Sequence, residues 1–171
     1  MGIETEASMK LSEDFLIKTN LTLSSNKNQQ VLSKVDGKIF DFGKTNISLS
    51  PEIVSSVNLS YPIKENIVVS ILNKYVGEQY MSNTESAFSK LDAYSVLDFN
   101  FNYDFKNTFF FSEIVLSALV SNLFGTKYVS NGYYYTYDDN WSDPNAITTI
   151  EGTGYYPQAT RNYLLGLKFK L

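Results

Sequence analysis

The sequence predicts an all-β protein, an antiparallel up-and-down meander of about seven strands that forms a partial wall of a large transmembrane β-barrel. Apolar and polar residues alternate with period two in seven segments of the 171-residue chain. The connections between these segments run short, long, short, medium, short, long, as in barrels whose turns are tight on the periplasmic side only. Residues 163–171 carry the alternation to the end of the sequence, with one apolar and one polar face.

The first two predicted strands form a hairpin. Residues 3–11 alternate apolar and polar side chains, and residues 15–23 do the same after the short turn Ser12-Glu13-Asp14. From Ser25 to Ser50 the periodicity disappears into Asn, Lys, Gln, Gly and Ser. This length and composition predict a large loop.

The third and fourth strands form a second hairpin. Pro51 begins the third strand, where its missing N–H is harmless, and the strand ends at Pro62. The turn Lys64-Glu65-Asn66 leads to a fourth strand from Ile67 to about Gly77. A medium polar loop follows from Tyr80 to Lys90.

The last three strands include the clearest alternation in the chain, from Tyr94 to Phe105. The turn Lys106-Asn107-Thr108 leads to a sixth strand from about Phe109 to Asn122. A long loop from Leu123 to about Tyr156 then precedes the closing strand.

Seven strands do not close a barrel of the usual kind. Single-chain bacterial outer-membrane barrels have even strand counts, and unpaired strand edges in lipid leave costly unsatisfied backbone groups. We therefore expect this chain to be one part of a larger barrel.

Composition excludes several classes of protein. A net charge of −4 with scattered lysines predicts no nucleic-acid partner. The apolar runs are interrupted well before the ~20 residues that a spanning helix needs. The absence of cysteine and histidine excludes disulfides, thiolate metal sites and Ser-His-Asp chemistry. No pair of catalytic carboxylates stands out, so we predict no enzyme activity and no cofactor.

The first residues do not resemble a secretory signal peptide. Residues 1–6 are acidic and alternating, without a basic segment and a following apolar run. This predicts either that the protein stays inside the cell or that its true beginning is missing.

Aromatic residues are concentrated in two places. One is Phe109-Phe110-Phe111 beside a predicted short turn, and the other is the last long loop. An interfacial girdle is the favoured interpretation, and contact with an extracellular ligand is the alternative. The candidate ligand contacts lie farthest from any predicted strand: Tyr133, Tyr134, Tyr135, Tyr137 and Trp141.

Two charged groups have simple interpretations. Residues 138–143 offer oxygen ligands of the type that calcium prefers, but they lack the spacing and glycine of an EF-hand, so a solvated acidic loop is favoured. Arg161, Lys168 and Lys170 are expected to face a polar lumen and to pair with carboxylates there.

Four stretches carry a resemblance to a known family. They are Ser50-Pro51-Glu52, Tyr75-Val76-Gly77-Glu78-Gln79-Tyr80 with Asn83-Thr84, Asn122-Leu123-Phe124 with Tyr128 and Asn131-Gly132, and Tyr155-Tyr156-Pro157-Gln158-Ala159 with Arg161-Asn162. In order and spacing they resemble the C-terminal barrel segment of TonB-dependent outer-membrane receptors of the Bacteroidetes-like kind. The resemblance covers essentially the whole chain. It departs from the family at Ser82, Thr160 and Leu171, where Asp, Pro and an aromatic residue are common.

The resemblance implies the fold and function of a whole receptor. It implies a 22-stranded barrel in outer-membrane lipid with an N-terminal plug. Such a receptor takes up a scarce nutrient, such as an iron chelate, a cobalamin or an oligosaccharide, with an inner-membrane energising complex. Residues 1–171 would be the C-terminal part of the barrel without the plug, so we expect a truncated gene product, a fragment or one piece of a split gene.

Two other interpretations remain open from the residues alone. One is a self-contained small outer-membrane barrel with a structural or adhesion role, in which residues 38–42 or 46–49 supply an eighth strand. The other is a soluble β-sandwich or lipocalin-like binding protein, in which the apolar face is the core.

Overall fold

A computed structural model describes residues 1–12, 14–108, 110–143 and 145–170 of the chain. In chain order its strands are β1 (Gly2–Lys10), β2 (Leu16–Ser24), β3 (Lys27–Asn28), β4 (Leu32–Val35), β5 (Lys38–Asp41), β6 (Thr45–Asn46), β7 (Ile53–Lys64), β8 (Ile67–Val76), β9 (Gln79–Tyr80), β10 (Lys90–Leu91), β11 (Tyr94–Thr108), β12 (Phe111–Ser121), β13 (Val129–Asp139), β14 (Thr148–Pro157) and β15 (Asn162–Lys170). A single 3₁₀ turn, Ala87–Ser89, is the only helical element in these ranges. No helix in the part of the chain described here has the length and apolar character needed to cross a membrane.

The main sheet has seven antiparallel strands in the order β1-β2-β7-β8-β11-β12-β15. This arrangement confirms the predicted meander, because every strand pairs with the strands that precede and follow it among the seven. Its strands are 9 to 15 residues long. Such strands are long enough to cross a bilayer when tilted.

Two predicted boundaries are wrong. The third predicted strand does not end at Pro62 but continues to Lys64, with a register shift between these two residues. A bulge of this kind lets a proline without a donor N–H remain in a strand. The fifth predicted strand includes residues 106–108, which we expected to form a turn. The predicted contributions of Glu13, Phe109 and Leu171 lie outside the described residues.

The register divides the sheet into an apolar face and a mainly polar face. Phe99 lies between Ile71 and Val120 on the neighbouring strands. Asn100, which points to the other face, lies between Ser70 and Leu119. The same register joins the apolar positions of all seven strands into one continuous surface.

Within the described residues, no protein layer covers the apolar face. Among the described residues, the only buried hydrophobic side chains are Val76, the last residue of β8, and Leu91 in β10, outside the main sheet. On β15, Leu165 is 76% and Leu167 62% exposed to solvent. A soluble sandwich or lipocalin-like fold would bury such a face, because apolar burial is the main favourable term in folding. An exposed apolar face is what the predicted wall of a transmembrane barrel requires, since the outer face of such a barrel is apolar.

Aromatic side chains mark both ends of the apolar face. Tyr61, Tyr103 and Phe169 lie near the short connections, and Tyr75 lies near the long ones. The residue opposite Tyr103 is Ile67, eight positions before Tyr75 on the same strand. At ~3.3 Å per residue this separation is about 26 Å along the strand, comparable with the apolar band of outer-membrane barrels.

The long connections contain strands that the sequence did not predict. In residues 25–50, β3 pairs with β6 and β4 pairs with β5. In residues 123–156, β13 and β14 form a long hairpin. Of the residues considered for an eighth barrel strand, 38–41 belong to β5 and Asn46 belongs to β6, and none of them is part of the seven-stranded sheet.

Candidate functional site

The three long connections lie at one end of the sheet and are hydrogen-bonded to one another. We call the described residues of 25–52, 77–93 and 122–161 the rim. The backbone N–H of Leu49 donates to the Tyr80 carbonyl at 2.7 Å, and that of Ser48 donates to Asn83 Oδ1 at 2.8 Å. Asp36 in the first connection is bonded to Thr149 in the third. The rim is therefore one connected structure.

The hairpin of β13 and β14 carries the most unusual surface of the rim. Because side chains alternate along a strand, Tyr133, Tyr135 and Tyr137 project from one face of β13. Their ring centroids are 6.3 and 6.4 Å apart with interplanar angles of 21° and 16°. Trp141 extends the series, 5.8 Å from Tyr137 at 3°. We call these four side chains the aromatic row.

Two glycines on β14 make room for the row. Gly154 pairs with Tyr133, and Gly152 pairs with Tyr135. A methyl group on either glycine would overlap the ring of its partner tyrosine. The rings therefore lie across the backbone of the neighbouring strand, and both tyrosines remain 51% exposed. Sequence reasoning missed the two glycines, although a Gly-x-Gly segment after a Tyr-x-Tyr segment was visible.

Tyr134 is separate from the row. It points to the opposite face of β13, where its hydroxyl donates to Glu151 Oε1 at 2.5 Å. Partial burial, followed by the hydrogen bond with Glu151, raises the pKa of Tyr134. Thr84 and Ser86, which belong to the second connection, also contact its hydroxyl. The expectation that the five aromatic candidates lie away from strands is wrong, since four of them are in β13.

The acidic segment 138–143 is held by its own backbone. Asp139 Oδ1 accepts from the N–H groups of Trp141 at 3.2 Å and Ser142 at 3.1 Å. Hydrogen bonds from Ser142, with Trp141 contributing less, lower the pKa of Asp139. Asp138 accepts instead from the Thr149 hydroxyl at 3.1 Å. Within the described ranges, no group of three or more acidic, histidine or cysteine residues could hold a metal ion.

Asn122 ties together the base of the third connection. It is 3% exposed and has φ of 52°, a conformation that asparagine tolerates better than most residues. Its side-chain amide donates to the carbonyls of Thr126 and Ala159, and its backbone N–H donates to Asp98 Oδ1. Nearby, Arg161 Nε donates to the Leu123 carbonyl at 2.7 Å. Arg161 thus caps backbone instead of pairing with a carboxylate as expected.

Other positions of the family resemblance join the connections to the sheet. Gly77 donates to the Ile53 carbonyl at 2.8 Å, and Gln79 Nε2 donates to the Ser130 carbonyl at 3.4 Å. Tyr80 accepts from the first connection, as described above. Tyr75 projects from the apolar face, and Phe124 is 74% exposed. These residues therefore lie where the sheet meets the rim.

A cavity of about 580 Å³ opens beside this junction. Its wall includes Lys90, Lys127, Tyr155 and the stacked pair Tyr94 and Tyr128, whose centroids are 4.3 Å apart. Lys90 is bound to Glu78 at 2.8 Å, and this pairing raises the pKa of its ammonium group. Pro157, next to the cavity, pairs with Val129 at the end of β13.

The polar face of the sheet contains one of the predicted lumen pairs. Lys170 Nζ lies 3.9 Å from Glu113 Oε2, across the β12–β15 pair. The distance is long and both side chains are accessible to solvent, so the pair contributes little to stability. Lys168 lies on the same face, opposite Val115.

The fold is similar to segments of solved receptor structures. The siderophore receptor PiuA from Acinetobacter baumannii superposes with a TM-score of 0.69 at 15% identity, covering 98% of this chain and 21% of that receptor. The ferric-catecholate import receptor Fiu from E. coli gives 0.60 at 16% identity, covering 97% and 20%. The ferric enterobactin receptor PfeA from Pseudomonas aeruginosa gives 0.61 at 14% identity, covering 97% and 21%.

The chain spans about a fifth of the length of these receptors. No protein-family model and no curated protein sequence matches it. The neighbours are receptors and not enzymes.

Proposed function

We propose that this chain is the C-terminal wall of an outer-membrane, TonB-dependent receptor that takes up an iron chelate. The observation that carries the proposal is the uncovered apolar face of a seven-stranded sheet with an organised rim at one end only. An apolar band of this height needs lipid, and an ordered rim at one end suits ligand capture. Siderophore and ferric-catecholate receptors contain the same arrangement of strands.

The remaining strands and the plug would complete the receptor. β1 and β15 each have one neighbour in the sheet, so each leaves one edge open. In lipid such an edge is costly because its N–H and C=O groups find no water. We assign the pairing of both edges to the N-terminal part of the barrel. Energy coupling to the inner membrane would act through the plug.

The rim supplies the extracellular contacts in this proposal. The aromatic row and the cavity beside Tyr128 are two exposed features of the described rim that suit contact with a small ligand. Tyr134 points to the other face of the hairpin, where its hydroxyl is bonded to Glu151, so it is not part of the row. Oligosaccharide and cobalamin uptake are the other cargo classes that such a receptor could serve.

Uptake by cells tests the proposal directly. A strain in which the gene is disrupted should lose accumulation of radiolabelled iron from at least one chelate in a panel that covers catecholates, hydroxamates and carboxylates. Accumulation in the parent strain should stop when an uncoupler removes the proton gradient. Unchanged accumulation from every chelate, together with recovery of the protein in the soluble fraction, would contradict the proposal.

A further inference from the structure

We infer that the aromatic row is a binding surface for an organic cation, a group bearing a quaternary ammonium, ammonium or guanidinium. The inference depends on the proposed function only for the outward position of the rim. Binding itself requires no transport, so it can be measured separately. It rests on ring geometry, exposure and the charge of the hairpin.

The rings of the row are available to a ligand. Tyr133, Tyr135 and Tyr137 are 51%, 51% and 42% exposed, and Trp141 is 65% exposed. Neighbouring rings are within 21° of parallel. The glycines of β14 hold the tyrosine rings over the neighbouring strand, so the row is preformed. A cation is attracted to the negative face of such rings, and tryptophan is the strongest partner.

Charge selects the class of ligand. Residues 128–160 contain no lysine, arginine or histidine and four acidic residues, Asp138, Asp139, Asp143 and Glu151. The hairpin therefore attracts cations and repels anions.

Asp139 places a carboxylate at the end of the row. Its position in β13 puts it on the same face as the three tyrosines. Its Oδ1 accepts a hydrogen bond from the backbone N–H of Trp141. Asp138 lies on the opposite face of β13 and accepts a hydrogen bond from the Thr149 hydroxyl. The two neighbouring carboxylates thus form a matched pair, one beside the row and one away from it.

Fluorescence offers a direct measurement, because Trp141 is the only tryptophan in the sequence. The full chain in detergent micelles, with its β-sheet circular dichroism verified, is titrated with choline and with its uncharged carbon isostere, 3,3-dimethylbutanol. Choline should change the Trp141 emission and bind at least about fivefold more tightly than the isostere. Benzoate serves as the anionic probe and should bind more weakly than either.

Matched variants locate the binding. Asp139→Asn should weaken choline binding by roughly two- to fivefold, whereas Asp138→Asn should leave it unchanged. Tyr135→Leu should weaken it to a similar extent, and Tyr135→Phe should preserve it because the ring face remains. Equal binding of choline and its isostere would overturn the inference. So would equal losses for Tyr135→Phe and Tyr135→Leu, which would indicate hydrogen bonding by the hydroxyl.

Discussion

Asp36 and Thr149 exchange two hydrogen bonds although 113 residues separate them in the chain. The Asp36 N–H donates to Thr149 Oγ1 at 2.7 Å, and the Thr149 N–H donates to Asp36 Oδ1 at 2.8 Å. Asp36 and Gly37 form the tip of the β4–β5 hairpin with φ of 51° and 74°. This pair of positive values suits a two-residue type I′ turn. The tip of the first connection is thereby fixed to the third.

Thr149→Val should release this tip. The valine keeps the shape of threonine but loses the hydroxyl that accepts from Asp36, a bond worth about 0.5–1.5 kcal/mol. Hydrogen exchange at the Asp36 amide should accelerate by up to about tenfold. Thr148→Val, at the exposed neighbouring position, is the control. Identical exchange in both variants would show that the contact does not hold the hairpin.

Asn122→Ala should destabilise the base of the third connection. The change leaves the Thr126 and Ala159 carbonyls without their donor in a buried site, at a cost of about 1–3 kcal/mol. It also puts alanine at positive φ, which asparagine tolerates better. The midpoint of urea unfolding in detergent measures the effect. Asn131→Ala, at an exposed position of β13, provides the comparison, and equal midpoints would contradict the prediction.

Gly152→Ala should displace the Tyr135 ring without unfolding the hairpin, because a tyrosine side chain can rotate away. A double-mutant cycle with Tyr135→Ala, measured as free energies of unfolding, should therefore show that the two changes are coupled. Gly166→Ala is the matched control, since the nearest atom to its added carbon is Ser117 Cβ at 3.9 Å. Additive effects of Gly152→Ala and Tyr135→Ala would mean that the ring does not rest on this glycine.

Tyr134 should make rim stability sensitive to alkaline pH. Its pKa in the folded chain is raised above the ordinary value of 10.0, so the folded state favours the neutral phenol. The resulting stability is present below pH 10 and is lost as pH rises through the folded pKa. Tyr134→Phe should reduce the loss seen in unfolding midpoints above pH 10. Tyr133→Phe should leave it in place, and the same pH dependence in both variants would refute this role.

Leu167→Lys should prevent stable insertion, whereas Leu164→Lys should be tolerated. Leu167 lies on the apolar face opposite Leu116, and Leu164 lies on the polar face with Lys168. A lysine facing lipid costs about 2–4 kcal/mol at the midplane and less towards the interfaces. Recovery of each variant in outer-membrane fractions provides the measurement. Equal recovery would show that the two faces have the same surroundings.

The strands of the sheet could be predicted because their two faces meet different surroundings. In β11, Phe99 and Phe101 alternate with Asn100 and Asn102, and the period is visible in the sequence. The rim hairpins lack this contrast, since both of their faces contact polar groups or solvent. Tyr133, Tyr134 and Tyr135 follow one another without alternation, so their strand had no periodic signature. Asp36-Gly37 was a usable turn signal that the loop prediction passed over.

The candidate site depended on contacts that no local pattern records. The register of β13 and β14 brings Gly152 and Tyr135 together. The sequence of either strand alone does not reveal this pairing. The hydrogen bonds from Asn122 to the Thr126 and Ala159 carbonyls likewise form only when the two ends of the third connection come together. The family resemblance includes Asn122, but it does not indicate which groups the side chain contacts.

The number of strands in the sheet also fixes the direction of its edges. In an antiparallel series of seven, the first and last strands run the same way, so β1 and β15 point in the same direction. They cannot form an antiparallel pair with each other, nor can β15 of one copy pair in this way with β1 of another copy in the same orientation. Antiparallel closure of the sheet therefore requires an odd number of further strands between β15 and β1.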